Sequence, residues 1–517
     1  MSRRRRFISA LGSGYLALVA NVFFTAISVP LALHYLTREE FGLWSVVLQI
    51  TGYLSLLDLG VGQSVSRLLI DWKDDVNGGV YGAVLKTASV VFALQALAVV
   101  VFGVACNHAV SQLMNIPPAL RSTFEALLLW QCVTVAITFL ATPLTLPLWS
   151  HQRSDLVNIA AVANFAVSLG FLWIGFALGF KTFGLLVSCI AGTLTSISLN
   201  ACSTLRLKLL PSRANWGVLS WERFWEVFRF SRDLFVLGLA AQLISASQLV
   251  LASRLISLDA AAVWSVCMKS FAMAQLLVCR VLDFSAAGLS EMIVWGEHER
   301  FRSRLALIVA LSAIGAGFFG VLGAFGNRSF VSFWTNGRIS WDSWNDVCAA
   351  TYLFLFCVSR CYTITTALLK QIGNYKYVSL LEGVLVITGS ILLAPHLNFL
   401  GILASSIIAN ILCSSLYGIM RVSKYFHASV VDITFGWLAG SFRFICAFAL
   451  IGSVIFWAGG KFQRPFAFGI TAACAGLCGF VLAMLIGLPN EFRTELLTLA
   501  QKSGWRTFFQ RNQSDNP

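Results

Sequence analysis

The sequence predicts an all-α polytopic membrane protein of about 14 transmembrane helices, built as two repeated six-helix lobes plus an appended helix pair. Three observations predict it: the scarcity of charge, the length of the apolar runs, and one stretch that returns later in the chain. Of 517 residues 58% are hydrophobic and 12% charged, with a mean hydropathy of +0.78; a soluble domain carries roughly 25% charge. Several soluble domains would need polar connectors, and here apolar runs follow one another along most of the chain.

A spanning helix needs about 20 mainly apolar residues. The runs that qualify are 7–33, 41–70, 84–107, 123–148, 156–180, 182–204, 233–257, 260–290, 304–326, 346–370, 376–396, 398–420, 436–459 and 465–488. Transmembrane β-strands would be shorter and alternate in polarity. Arg3 to Arg6 resemble the start of a signal peptide, but the run behind them is too long and leads into a second helix, so no cleavable signal is expected.

Lys and Arg concentrate in cytoplasmic loops. With the N-terminus inside, the inner loops hold Arg3 to Arg6, Lys73, Arg153, a cluster from Arg206 to Arg232, Arg300, Arg302, Arg304, Lys370, Lys376, Arg421 and Lys424, while the outer loops hold few. Both termini are therefore expected in the cytoplasm. The formal charge of +14 then meets anionic membrane lipids and requires no nucleic acid. In "WERFWEVF", Trp221, Phe224, Trp225 and Phe228 share one helical face, the pattern of a helix lying on the membrane surface; 492–509 reads similarly. No loop is long enough to fold as a catalytic domain.

"LTREEFGLWSV" at 36–46 aligns without a gap to "ISLDAAAVWSV" at 256–266, an offset of 220 residues. "WSHQRSDLVN" and "KQIGNYKYVS" pair more weakly at an offset of 221. Six helices thus repeat in one orientation. The expected organisation is an N-terminal lobe at 1–205, a basic cytoplasmic linker at 206–232, a second lobe at 233–420, appended helices at 421–488 and a cytoplasmic tail at 489–517.

The first hairpin, with "EEFGLWSV" and "LLDLG" behind a basic N-terminus, resembles the Wzx-type flippases for lipid-linked oligosaccharides, within the multidrug/oligosaccharidyl-lipid/polysaccharide exporter superfamily. The resemblance implies a carrier in the bacterial inner membrane that moves polyprenyl-diphosphate-linked oligosaccharide between leaflets by alternating access, for surface polysaccharide biosynthesis. Its partners would include a polysaccharide polymerase and glycosyltransferases. An ion-coupled multidrug exporter of the same superfamily is the alternative, since cationic drugs call for intramembrane carboxylates; a membrane polysaccharide polymerase fits less well, because a substantial outer loop is lacking.

Charges at membrane depth are costly and face a bundle interior or a wet cavity. The candidates are Asp58, Lys269, Arg280, Asp283, Arg360 and Glu382, with Arg67 nearer the inner end and Arg443 in the appended pair. At about 100° per residue, Lys269, Arg280 and Asp283 fall within roughly 60° of one another, and Arg280 and Asp283 are spaced to pair. The repeat offset carries this seam to Gln49, Gly60 and Gln63 and the same turn adds Arg67; Asp58 falls on the opposite side with Thr51, Ser55 and Gly62. Lys269, Arg280, Arg360, Arg67, Gln49 and Gln63 are the expected substrate-cavity residues. For Asp58, Asp283 and Glu382 a coupling role and a structural role both stay open. Arg67, Glu382 and Arg443 are near enough to helix ends to snorkel. A basic seam suits a diphosphate, which guanidinium grips bidentately.

Pro30 reads as a kink at the end of the first helix. The 13 cysteines lack metal-ligand partners and no histidine sits mid-span, so neither metal nor cofactor is expected. There is no phosphate-binding loop, hence no nucleotide-hydrolysis site and no enzymatic centre.

Overall fold

The computed structural model describes residues 3–218, 225, 235–369, 373–459 and 465–488, and among these every regular element is helical. In order they are α1 (Arg3–Tyr35), α2 (Arg38–Leu54), α3 (Val61–Asp71), α4 (Val80–Ala105), a short α5 (Asn107–Leu113), α6 (Pro118–Ser150), α7 (Ser154–Ala177) and α8 (Thr182–Arg206). There follow α9 (Phe235–Leu255), α10 (Leu258–Cys267), α11 (Lys269–Val294), α12 (His298–Trp334), α13 (Ser343–Leu368) and α14 (Tyr375–Leu397). The last are α15 (Phe399–Phe426), α16 (Asp432–Gly459) and α17 (Pro465–Leu482). Among the described residues 13 helices are long and apolar enough to span a membrane, or 14 when α10 and α11 count as one span bent by 41°. The surface helix expected at 221–228 lies, Trp225 apart, outside the described residues, as does 492–509.

Two expected helices are interrupted. The run 41–70 is not one helix: α2 ends at Leu54, a single tight turn covers Ser55–Asp58, and Leu59 and Gly60 take φ of 53° and 74° before α3 begins. The second interruption falls at Met268, between α10 and α11. By contrast α1 continues through Pro30 to Tyr35, so this proline does not end its helix.

The chain forms two compact units, Met1–Val266 with Trp334–Ile339 and Ser379–Ile402, and Cys267–Phe333 with Ser340–Val378 and Leu403–Pro517. In the first, small residues bring helices together, as expected where lipid removes the hydrophobic drive between them. Gly175 of α7 meets Gly184 of α8 so closely that a Cβ would lie 2.9 Å from the Gly184 Cα. Nearby, the Ser168 hydroxyl donates to the Ser188 carbonyl at 3.1 Å and the Ser188 hydroxyl returns a bond to the Ser168 carbonyl at 2.7 Å. The described start of the linker folds back on α4: the Tyr81 hydroxyl donates to the Leu209 carbonyl at 3.2 Å, and Gly82 leaves room for the Asn215 carbonyl.

In the second unit Leu282, Phe301, Leu305, Val309, Tyr362 and Val422 form one buried cluster. A second cluster joins Ile314 and Val321 of α12 to Phe444 and Phe448 of α16. The appended α16 is therefore packed into this unit, and the Ser441 hydroxyl donates to the Ala310 carbonyl at 3.3 Å.

Candidate functional site

The hairpin motif has a physical explanation. Thr37 and Glu40 form a reciprocal cap at the start of α2: the Thr37 hydroxyl accepts from the Glu40 amide at 3.2 Å and the Glu40 carboxylate from the Thr37 amide at 2.9 Å. The repeat mate of Thr37, Ser257, caps α10 by accepting from the Ala260 amide at 3.0 Å. Gly42 lacks the Cβ that would lie 2.2 Å from the Leu258 carbonyl oxygen and 3.3 Å from the Ala262 nitrogen. Three residues on, the Ser45 hydroxyl donates to the hydroxyl of Ser265, 220 positions later, at 3.2 Å. Gly42 with Ala262 and Ser45 with Ser265 are repeat mates. At these positions α2 and α10 cross in direct contact. Beside the crossing Arg38 and Asp259 approach to 3.8 Å.

Among the first unit's expected site residues, Gln49 is half-buried on α2 while Gln63 and Arg67 are exposed on α3. The break between these helices removes the common angular frame, so Gln49 and Arg67 do not belong to one continuous helical stripe. Asp58 sits in the break itself. Its carboxylate accepts from the Gly62 amide at 3.1 Å, in the first turn of α3, where a negative charge is favourable; its carbonyl accepts from the Gln95 side chain at 3.2 Å. Glu382, on α14, is only 1% exposed, and this overturns the expectation that it snorkels.

In the second unit Lys269, Arg280 and Asp283 all lie on the unbroken α11, so their shared face stands; Ser265 and Ala262 lie beyond the bend and leave that frame. Asp283 does not take Arg280 as its ion-pair partner. Arg360 of α13 donates to Asp283 at 3.0 Å, which draws Arg360 to the seam and neutralises the carboxylate. Among the described residues no carboxylate pairs with Lys269 or Arg280. The two cations are separated by about 16 Å along the helix axis. Arg443 is exposed on α16.

Sequence reasoning missed Asp346, which is fully buried. Its Oδ1 accepts from the Asn327 side chain at 2.6 Å and the Trp341 indole at 2.8 Å. An acid in the first turn of a helix reads as a solvated cap, and only packing shows otherwise. Near it lies a cavity of about 240 Å³ lined by Phe271, Phe319, Phe330, Phe456 and Phe468, with Ser270 and Asn327 as its polar groups. Among the described residues no cluster of three His, Cys, Asp or Glu side chains is arranged to hold a metal ion.

Comparison with solved structures shows the fold. A lipid II flippase, MurJ, in an inward closed conformation is similar with a TM-score of 0.69 and 14% identity, covering 95% of this chain and 99% of that one. An inward-facing multidrug resistance transporter of the MATE family and MOP superfamily gives 0.65 and 11%, covering 81% and 98%. The MATE transporter DinF-BH in complex with R6G gives 0.57 and 13%, covering 80% and 95%. A comparison with curated proteins finds no match. The family model described as polysaccharide biosynthesis protein, however, matches residues 9–282, more than half of the chain, including the capped hairpin, the α2–α10 crossing and most of the basic seam. The chain belongs to this polysaccharide biosynthesis protein family.

Proposed function

We propose that the protein is a flippase that carries polyprenyl-diphosphate-linked oligosaccharide across the bacterial inner membrane by alternating access, in surface polysaccharide biosynthesis. The observation that carries this reading is the pair of cations on one face of a spanning helix, Lys269 and Arg280, without carboxylate partners among the described residues. Such a pair is expensive in hydrocarbon and is accounted for by an anionic ligand. Arg280 supplies a planar fork for phosphate oxygens and Lys269 a compact charge. The Arg360–Asp283 ion pair holds a neighbouring part of the seam and supplies a further guanidinium once the lobes move. The same fold carries MATE multidrug transporters, so fold does not choose the substrate; the sign of the seam favours a polyanion over a cationic drug.

The lipid tail must stay in hydrocarbon while its head crosses. The Phe-lined cavity beside α17 suits a short apolar segment of it, and a photo-crosslinker at Phe468 should label a polyprenyl probe. Trp437 stacks on Tyr362 with ring centroids 6.3 Å apart and belongs to the packing. In the proposed topology both termini and the linker are cytoplasmic: cysteine probes at Ser2, Ser212 and Ser514 should resist an impermeant external reagent, and one at Asn336 should react. A polymerase and glycosyltransferases would act before and after this step.

The deciding experiment is export of lipid-linked oligosaccharide by Lys269→Ala and Arg280→Ala at limiting expression. Both should insert normally and lose export, with Arg280→Lys recovering part of it and Arg443→Ala remaining near wild type. Wild-type rates in the double variant would make these cations structural and end the flippase mechanism as stated.

A further inference from the structure

We propose that Asp346 is a binding site for a proton and that its occupancy sets the geometry of the break at Met268, and so the placement of Lys269. The link to transport rests on the flippase reading; the proton site does not. The carboxyl group is fully buried and its two oxygens are used unequally. Oδ1 accepts from the Asn327 amide and the Trp341 indole. Among the described residues Oδ2 is buried without a hydrogen-bond partner. An ionised carboxylate spreads its charge over both oxygens and, away from water, needs donors at each. The acid form keeps Oδ1 as a carbonyl-type acceptor and leaves a neutral hydroxyl at Oδ2, which costs less in this setting than a buried charge with one oxygen unsatisfied. One open oxygen also argues against a metal cation, which gathers several. The ionisable groups facing Asp346 are Arg328 of α12, Asp342 of the preceding loop and the Cys267 thiol of α10; Arg328 is itself bonded to the Ser343 hydroxyl at 3.3 Å.

Asn327 connects this carboxyl to the break. Its amide nitrogen donates to the Cys267 carbonyl at 3.1 Å as well as to Asp346, and its oxygen accepts from the Ser270 hydroxyl at 2.6 Å. One side chain thus holds the residue before the break and the second residue after it, with Lys269 between them. The chain also passes from one compact unit to the other here, between Val266 and Cys267. Uptake of a proton converts the carboxylate to the acid and leaves Asn327 free to hold both sides of the bend. Its loss makes both oxygens strong acceptors, which draw the Asn327 amide and the Ser270 hydroxyl from the break and release it. In the proposed topology this end of α13 faces the outside, so the proton enters from there.

The test uses the full chain in lipid nanodiscs without substrate. Infrared difference spectra between high and low pH should show a carboxylic-acid carbonyl band in the wild type that Asp346→Asn lacks. Hydrogen exchange over residues 267–272, corrected for the intrinsic effect of pH, should speed up as pH rises in the wild type and become independent of pH in Asp346→Asn. Ser270→Ala removes one hydroxyl and should shift the midpoint of both transitions. Identical difference spectra in wild type and Asp346→Asn, or exchange at the break that ignores pH in the wild type, would overturn the proposal. If Asp346→Asn does not fold, an unmoved midpoint in Ser270→Ala overturns it instead. Neither measurement involves export, so its failure is distinct from failure of the flippase reading.

Discussion

The second helix of each repeat begins alike and continues differently. Thr37 caps α2 and Ser257 caps α10, the mates Ser45 and Ser265 touch, and from there the copies diverge. The first copy breaks at 55–60, with Leu59 and Gly60 in the left-handed region and Asp58 capping the restart. The second breaks earlier, at Met268, and then runs as one helix through the positions equivalent to Leu59 and Gly60, namely Cys279 and Arg280. The shared half brings α2 and α10 into contact. The divergent half differs in continuity and charge: a break at Leu59 and Gly60 that carries Asp58 in one copy, an unbroken helix displaying Lys269 and Arg280 in the other.

The comparison can be sharpened from its strongest consequence downward. Lys269→Ala with Arg280→Ala should reduce export by more than tenfold, since a charge-assisted contact is worth roughly 1.5 to 3 kcal/mol; the same truncation at Gln49, the mate of Lys269, and Gln63, the mate of Asp283, should cost far less, as measured by export at limiting expression. Equal losses at both pairs would show that the copies share the load. Gly60→Ala places a Cβ at φ 74° and should destabilise by about 1 to 2 kcal/mol, read as a lower melting temperature in detergent. Its foil is Gly288→Ala on α11, where an added Cβ meets nothing within 4 Å; there helix propensity predicts a gain of up to about 1 kcal/mol.

Asp58→Ala should cost about 1 kcal/mol through the lost cap, with Asp58→Asn retaining most of it. A stable Asp58→Asn protein that no longer exports would instead point to ion coupling at this carboxylate. Smallest is the Ser45–Ser265 contact: each serine-to-alanine change should cost about 0.5 to 1 kcal/mol, and the double variant should cost less than the sum of the singles, because the bond between the two hydroxyls is removed only once while each also bonds its own helix backbone.

Much of the fold was legible because the bilayer imposes a length on apolar runs and a bias on loop charge. All 14 expected spans have a helical counterpart among the described residues, one of them bent at Met268 and one cut short by the break at 55–60. Two short segments that share Trp-Ser-Val recur at an offset of 220, and their serines Ser45 and Ser265 meet in the structure. The site was legible in type more than in geometry. Arg360 and Asp283 were both foreseen, but Asp283 was expected to pair with Arg280 and pairs with Arg360, and extending a helical wheel through 55–60 assumed a regularity that Gly60 ends.

What the sequence by itself determined is the membrane-spanning helical class and the order of the spans, since each rests on composition or spacing along the chain. Only tertiary structure decided which face of each helix meets protein. On α4, Leu94, Leu97, Val101 and Val104 are exposed while Val84, Leu85, Ala88, Phe92 and Val99 are buried. Both faces are apolar because lipid and protein interior make the same demand, so no periodicity separates them. Tertiary structure also placed Asp346 in the interior, enclosed Glu382 and paired Asp283 with Arg360, because the partners that neutralise or enclose a charge come from helices distant in sequence.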